Sequence, residues 1–326
     1  MRTTGPDPLA GFGPSTRTWF TGAFEGPTPA QVGAWAAIAA GDHTLVVAPT
    51  GSGKTLAAFL WSLDQVLATP PEDAAHRCRV LYVSPLKALA ADVERNLRSP
   101  LVGIRQAATR RGLDPPEVRV GVRTGDTPAA ERRSFAARPP DVLITTPESL
   151  FLVLTSAARA GLAGVRTVIL DEIHAVAGTK RGAHLAVSLE RLDALLDEHG
   201  GPAQRIGLSA TVRPVETVAR FLAGGRPVAD GGRPVRVVQP TSAKQVDVRV
   251  VVPVPDLTDL AGAPPPDRAP DHPPGAGPGS PPGREADPAL AGPAAAGPRR
   301  PSVWPHVEER VVDLVAQHRS TLVFTN

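Results

Sequence analysis

Eight consecutive residues, Ala48-Pro49-Thr50-Gly51-Ser52-Gly53-Lys54-Thr55, combine two glycines, a lysine and a hydroxyl in the spacing of a phosphate-binding loop. Gly51 and Gly53 let backbone N–H groups turn inward around an anion, and a helix opening at this point adds the positive end of its dipole. Lys54 then supplies a point charge for the β- and γ-phosphates of a nucleotide, and the Thr55 hydroxyl a ligand for Mg2+. The first position is alanine where glycine is usual. Only four lysines, Lys54, Lys87, Lys180 and Lys244, stand among the 35 basic residues, so a lysine falling inside such a string carries weight.

A second group follows the apolar run VRTVIL: Asp171-Glu172-Ile173-His174. An aspartate at a strand end can hold Mg2+ through its hydration shell, and the next carboxylate can orient and deprotonate an attacking water. Lys54, Asp171 and Glu172 are therefore the candidate catalytic groups, with Thr55 and Asp171 the candidate metal ligands. His174 either couples nucleotide state to a further motif or hydrogen-bonds locally. Ser209-Ala210-Thr211, after RIGLS, offers small hydroxyl residues that can bond Glu172 or His174 and report the γ-phosphate.

These groups need strands behind them. Short β-branched runs at Thr44 to Ala48, Arg79 to Ser84, Val118 to Arg123, Asp141 to Thr145, Arg166 to Leu170 and Gln204 to Leu208 read as strands. Helical patterns fill the intervals: Ala30 to Ala40, Lys54 to Ala68, Leu86 to Leu97, Pro128 to Ala137, Pro147 to Ala160, His184 to His199 and Val215 to Leu222. The alternation predicts an α/β fold with a mostly parallel sheet covered by helices on both faces, and ligands beyond the carboxyl ends of its strands.

Composition agrees. At 326 residues, 42% hydrophobic and 21% charged, the chain has material for a core and is not disordered throughout. A single cysteine, Cys78, allows no internal disulfide, and no Cys/His cluster has zinc spacing. No apolar run approaches the roughly 20 residues a bilayer requires. The expectation is a cytoplasmic protein with no membrane partner. A net charge of +3 permits a nucleic-acid partner without demanding one.

From Gly231 to Pro255 the chain reads as a connecting segment with β character. Between Pro264 and Pro301, thirteen of 38 residues are proline and six are glycine, a composition that packs no core and reads as a disordered linker or, alternatively, a Pro-rich ligand. Val303 to His318 then patterns as a helix and Ser320 to Thr325 as a strand. The chain stops there at the end of an apolar run, which suggests a fragment.

In this order, the motifs resemble the first RecA-like domain of superfamily 2 helicases. Pro27-Thr28-Pro29-Ala30-Gln31 resembles the adenine-reading Q motif, which implies that Thr28 and Gln31 join the loop residues in an ATP site. Without that resemblance, Gln31 is a first-turn helix residue. Ser84-Pro85-Leu86-Lys87-Ala88-Leu89 and Thr145-Thr146-Pro147-Glu148-Ser149-Leu150 resemble motifs Ia and Ib, which grip the backbone of one nucleic-acid strand. Arg123-Thr124-Gly125-Asp126-Thr127 lies between them and extends the track. The implied contacts are Pro85, Lys87, Thr124, Gly125, Thr146, Pro147 and Glu148.

SPLKALAADVERNL, RTGDTP, TTPESL, DEIH followed by KRGAHLAVSLERL, and RIGLSATVRPVETVARFL resemble the large helicase-related (Lhr) family, as does the tail SVWPHVEERVVDLVAQHRSTLVFTN. The resemblance implies an ATP- and Mg2+-dependent motor tracking a single strand of DNA or RNA 3′ to 5′ and unwinding DNA or RNA:DNA duplexes in DNA repair. It divides the chain into a lead-in (1–19), a first RecA-like domain (20–235), a connecting segment (236–263), a linker or insertion (264–301) and the start of a second RecA-like domain (302–326). That domain and accessory domains further on are the expected partners. Two other readings stand beside it: an RNA-remodelling ATPase or double-strand translocase, and a nucleotide-dependent adaptor without turnover. Intact Lys54, Asp171 and Glu172 weigh against the adaptor.

Overall fold

The computed structural model describes residues 7–69, 71, 73, 76–241, 247–254 and 303–325. It falls into two units, Met1–Lys244 and Gln245–Asn326. The Pro-rich stretch from 264 to 301 lies outside the described residues.

Seven strands of the first unit form one sheet: β1 (His43–Val47), β2 (Val80–Val83), β3 (Val120–Arg123), β4 (Val142–Thr145), β5 (Thr167–Leu170), β6 (Gln204–Ser209) and β7 (Val235–Val238). Their order is β3-β4-β2-β5-β6-β1-β7, and every pairing is parallel. Runs such as VLYV, VLIT and TVIL have no polar face, so both sides of the sheet must be covered. Alternate residues supply the two cores. Val46, Tyr82, Ile144 and Ile169 pack under one helical layer. That layer is α1 (Pro14–Ala23), α2 (Pro29–Ala39), α3 (Lys54–Ala68) and α4 (Lys87–Arg110). Leu45, Leu81, Leu143 and Val168 pack on the other side. There they meet α5 (Ala129–Ala137), α6 (Pro147–Leu154), α7 (Lys180–Asp197) and α8 (Val215–Ala223).

The six strands and seven helices expected between residues 30 and 222 are present, and α3 has the predicted bounds. Several others differ for physical reasons. Helix α4 runs to Arg110 through Pro100 rather than stopping at Leu97. Val93, Leu97, Pro100 and Ile104 keep one face buried, and packing outweighs the hydrogen bond that proline forfeits. Much of that packing comes from the supposed lead-in. Leu9, Phe12 and Thr16 of that stretch are buried together with the adjoining Phe20, and Phe12 and Phe20 meet Trp35 edge-on at 4.9 and 5.4 Å. Helix α6 ends at Leu154, and a 3-10 turn, Ala157–Leu162, replaces its expected last turn.

Helix α7 begins at Lys180, a turn before His184, because Thr179 caps it by accepting a hydrogen bond from the Gly182 N–H at 3.1 Å. Any Cβ at Gly182 would lie 2.0 Å from the Val176 carbonyl oxygen, which accounts for the glycine there. The sheet also continues past residue 235, since β7 pairs with β1. VDVRVVVPV, by contrast, shows no strand over its described residues.

In the second unit, α9 (Trp304–Gln317) matches the predicted helix. Residues 321–325 are not a strand, and Leu322 and Phe324 are 84% and 90% exposed. A strand requires a neighbour for its backbone groups, and none among the described residues pairs with this segment.

Arg205 on β6 is 1% exposed and donates to Asp193 at 2.6 Å, to Glu190 at 3.1 Å and to the Leu222 carbonyl at 3.1 Å. Arg233 also bonds Asp193. The cluster joins β6, α7, α8 and the approach to β7. Arg205→Ala would strand the buried Asp193 with half its partners and is expected to lower stability by about 3 kcal/mol. Denaturant unfolding of the full chain checks this, and a loss below about 0.5 kcal/mol would contradict the assigned role.

Candidate nucleotide and nucleic-acid sites

The sheet order sorts the motifs into two groups. β5, β6 and β1 are neighbours, and at their carboxyl ends stand Asp171 to His174, Ser209 to Thr211 and the loop from Ala48 to Thr55. β3, β4 and β2 are also neighbours. At their ends stand Thr124 to Thr127, Thr146 to Glu148 and Ser84 to Lys87.

In the first group, the Ala48 N–H donates to the Ser209 carbonyl at 3.1 Å, fastening the loop's start to β6. Gly51 and Gly53 adopt φ of +80° and +78°, the left-handed region that lets successive amides turn toward one centre. Gly53 precedes α3, and Lys54 in its first turn is buried. A Cβ at Gly53 would approach the Gln31 amide nitrogen to 2.5 Å. Thr28 and Gln31 form a reciprocal cap on α2. The Thr28 N–H donates to Gln31 Oε1 at 2.9 Å, and the Gln31 N–H to Thr28 Oγ1 at 3.2 Å. The Thr28 hydroxyl donates to the Ser52 carbonyl at 2.7 Å, and Gln31 Nε2 to the Gly53 carbonyl at 3.4 Å. These two residues thus brace the loop from outside.

Asp171 is buried, which raises its pKa above the ordinary carboxylate range. A hydrogen bond from Tyr82 and the charge of Lys54 oppose that rise. The Tyr82 hydroxyl donates to Asp171 Oδ2, and Oδ1 is buried with no hydrogen-bond partner. A hard oxygen left without a partner, within electrostatic reach of Lys54, suits a hard cation such as Mg2+. Glu172 has φ of +44°, a strained left-handed geometry seen at no other non-glycine among the described residues.

His174 Nδ1 lies 3.3 Å from the Ala210 N–H and 3.4 Å from Glu172 Oε2. One nitrogen cannot accept from the amide and donate to the carboxylate at once. The amide always carries a hydrogen, so Nδ1 is the acceptor and the ring proton sits on Nε2. His174 therefore links the two motifs. The expected hydroxyl bonds from Ser209 and Thr211 are not the link: the Ser209 hydroxyl donates to the Ala210 carbonyl at 2.8 Å, and Thr211 is exposed.

In the second group, Pro85, Thr146 and Pro147 are buried, so their side chains shape the turns. Thr146 caps α6. Lys87, Gly125 and Glu148 are exposed and Thr124 half-buried. Lys87 Nζ meets Asp126 at 2.7 Å, joining the turns after β2 and β3. Arg181 grips both oxygens of Glu148, one at 2.9 Å, and holds its carboxyl down at about 2. Sequence reasoning gave no role to Tyr82 or Arg181, and it placed Asp126 within the strand-contacting track without its partner Lys87. For Tyr82 the available signal was a lone tyrosine inside an apolar strand.

The DEAD/DEAH box helicase family model matches residues 28–219, and the chain belongs to that family. Its relatives are more particular. It is 56% identical over its whole length to the Lhr helicase/probable uracil glycosylase of Mycolicibacterium smegmatis and 50% identical over 97% of its length to the Lhr helicase/uracil glycosylase of Escherichia coli. It spans only 18% and 19% of those two proteins. The solved structure of Mycobacterium smegmatis helicase Lhr bound to ssDNA and AMP-PNP is 55% identical, covering 98% of this chain and 35% of that one, with a TM-score of 0.74. DEAD-box helicase Mss116, 18% identical over 71–72% of this chain with a TM-score of 0.57, shares the RecA-like fold. No helix among the described residues is long and apolar enough to cross a membrane.

Gly53→Ala places a Cβ against Gln31 at positive φ. It is expected to weaken ATP-analogue binding at least tenfold while costing only about 1 kcal/mol of stability. Fluorescence titration and thermal melts separate the two, and unchanged affinity would contradict the role given to the loop.

Proposed function

We propose that this chain is the nucleotide-binding lobe of an ATP-dependent helicase motor that tracks one strand 3′ to 5′ and unwinds DNA or RNA:DNA duplexes in repair. The observation that carries the proposal is the sheet order. It gathers the phosphate and carboxylate motifs on β5-β6-β1 and the strand motifs on β3-β4-β2, along one continuous edge. The relatives' names, and the single-stranded DNA and AMP-PNP in the solved relative, support the same assignment.

In this reading the inward amides of Gly51 and Gly53 and the Lys54 ammonium bind the β- and γ-phosphates. Thr55 and Asp171 would hold Mg2+, which when bound would neutralise charge developing on the phosphates. Glu172 orients a water and takes its proton. His174 carries the resulting displacement to Ala210 and β6. The exposed turns around Lys87, Gly125 and Glu148 grip the strand through its phosphates, with affinity that falls as salt rises and with little base preference. An arginine finger from a second lobe completes the ATP site, a contribution of roughly 10³ to 10⁵ in rate where such fingers have been assessed.

The 326-residue chain is accordingly expected to bind ATP·Mg2+ weakly and to unwind nothing by itself; robust ATP-dependent strand displacement by it would refute the two-lobed assignment. Within it, Lys54→Ala should abolish ATP binding while Glu172→Gln keeps it. Equal loss in both variants would remove Glu172 from water activation. Lys87→Ala should weaken single-strand binding uniformly across sequences and reduce the slope of log K against log salt by about 1.

A further inference from the structure

Tyr82 is the only tyrosine in the chain and lies fully buried in β2, where its neighbours are Leu81 and Val83. A tyrosine confined inside a sheet must find a partner for its hydroxyl. Its partner is Asp171, 89 residues away, immediately past the end of β5. β2 and β5 are adjacent, with Val83 opposite Leu170, so the ring of Tyr82 stands one step below the strand ends. The same ring stacks on Phe59 at 4.8 Å between centroids and 28° between planes. Phe59 is on α3, four residues beyond Thr55. One side chain thus touches both the helix that carries Lys54 and Thr55 and the carboxylate within electrostatic reach of Lys54. The hydroxyl engages Oδ2 and leaves Oδ1 buried without a partner.

We propose that Tyr82 is a positioning residue for the Mg2+–nucleotide site: its hydroxyl anchors Asp171 by Oδ2 so that Oδ1 is presented for the metal, while its ring sets α3 at a fixed distance from that carboxylate. Packing alone has no use for the hydroxyl, since phenylalanine would fill the same volume and stack on Phe59 equally well. Groups that orient a metal ligand from behind typically govern metal affinity by 10- to 100-fold.

This proposal rests on the nucleotide-binding reading above. Its test is Tyr82→Phe in the full chain, with binding of a fluorescent N-methylanthraniloyl-ATP followed as Mg2+ is titrated. The expected result is a Mg2+ half-saturation raised about tenfold, with nucleotide affinity at saturating Mg2+ within about twofold of the parent. Combining Tyr82→Phe with Asp171→Asn should add no further effect, because the hydroxyl acts only through that carboxylate. An unchanged Mg2+ half-saturation, or additive effects in the double variant, would overturn the positioning role. Loss of folding in Tyr82→Phe, read by circular dichroism, would likewise overturn it by assigning the hydroxyl to stability. If the parent chain bound the nucleotide with no dependence on Mg2+, or not at all, the nucleotide reading would itself have failed.

Discussion

Seven strands pointing the same way leave all their carboxyl ends on one edge, and everything functional in this chain depends on that constraint. Parallel pairing requires a crossover between neighbours, and each crossover here is a helix whose first turn opens at that edge. Helix N-termini, glycine turns and strand-end carboxylates are therefore delivered to one line without any long loop to hold them. The order β3-β4-β2-β5-β6-β1-β7 then divides the line. Central strands carry the phosphate and carboxylate groups, and the β2, β4 and β3 ends carry the exposed turns. The boundary falls between β2 and β5, where Tyr82 bonds Asp171.

Charge is handled differently on the two sides of that boundary. Lys54 and Asp171 are both buried, so each has lost hydration that only a phosphate or a cation restores in full. That is costly for the free chain and selective for a ligand with charges in the right places. Lys87–Asp126 and Arg181–Glu148 are solvent-exposed pairs, at most about 1 kcal/mol each. Such pairs exchange readily: a phosphate can displace Asp126 from Lys87 at little expense. The buried group thus discriminates by charge placement, whereas the exposed pairs can be exchanged at little cost.

What was legible in the sequence was local. The loop from Ala48 to Thr55, the strand-then-carboxylate pattern at Asp171 and the bounds of α3 follow from spacing within about fifteen residues. What was not legible depends on partners far along the chain. Pro100 looks like a stop until α1 is packed against α4. β7 becomes part of the sheet only because β1 offers it an edge. The roles of Tyr82, Asp126 and Arg181 come from pairings across 89, 39 and 33 residues, and no periodicity reports them. His174 is intermediate: its position marked it as a link, but the partner is a backbone amide, which sequence does not distinguish from any other.

In the proposed reading, the loop after β1 and the carboxylates after β5 form one metal–nucleotide site. A crystal structure of the chain with AMP-PNP and Mn2+, with the metal located by its anomalous signal, tests it most directly. A single strong Mn2+ peak is expected between the Thr55 hydroxyl and Asp171, with the γ-phosphate against Lys54 and Tyr82 still bonded to the far carboxylate oxygen. Nucleotide bound elsewhere, or a metal that contacts neither Thr55 nor the waters around Asp171, would contradict it.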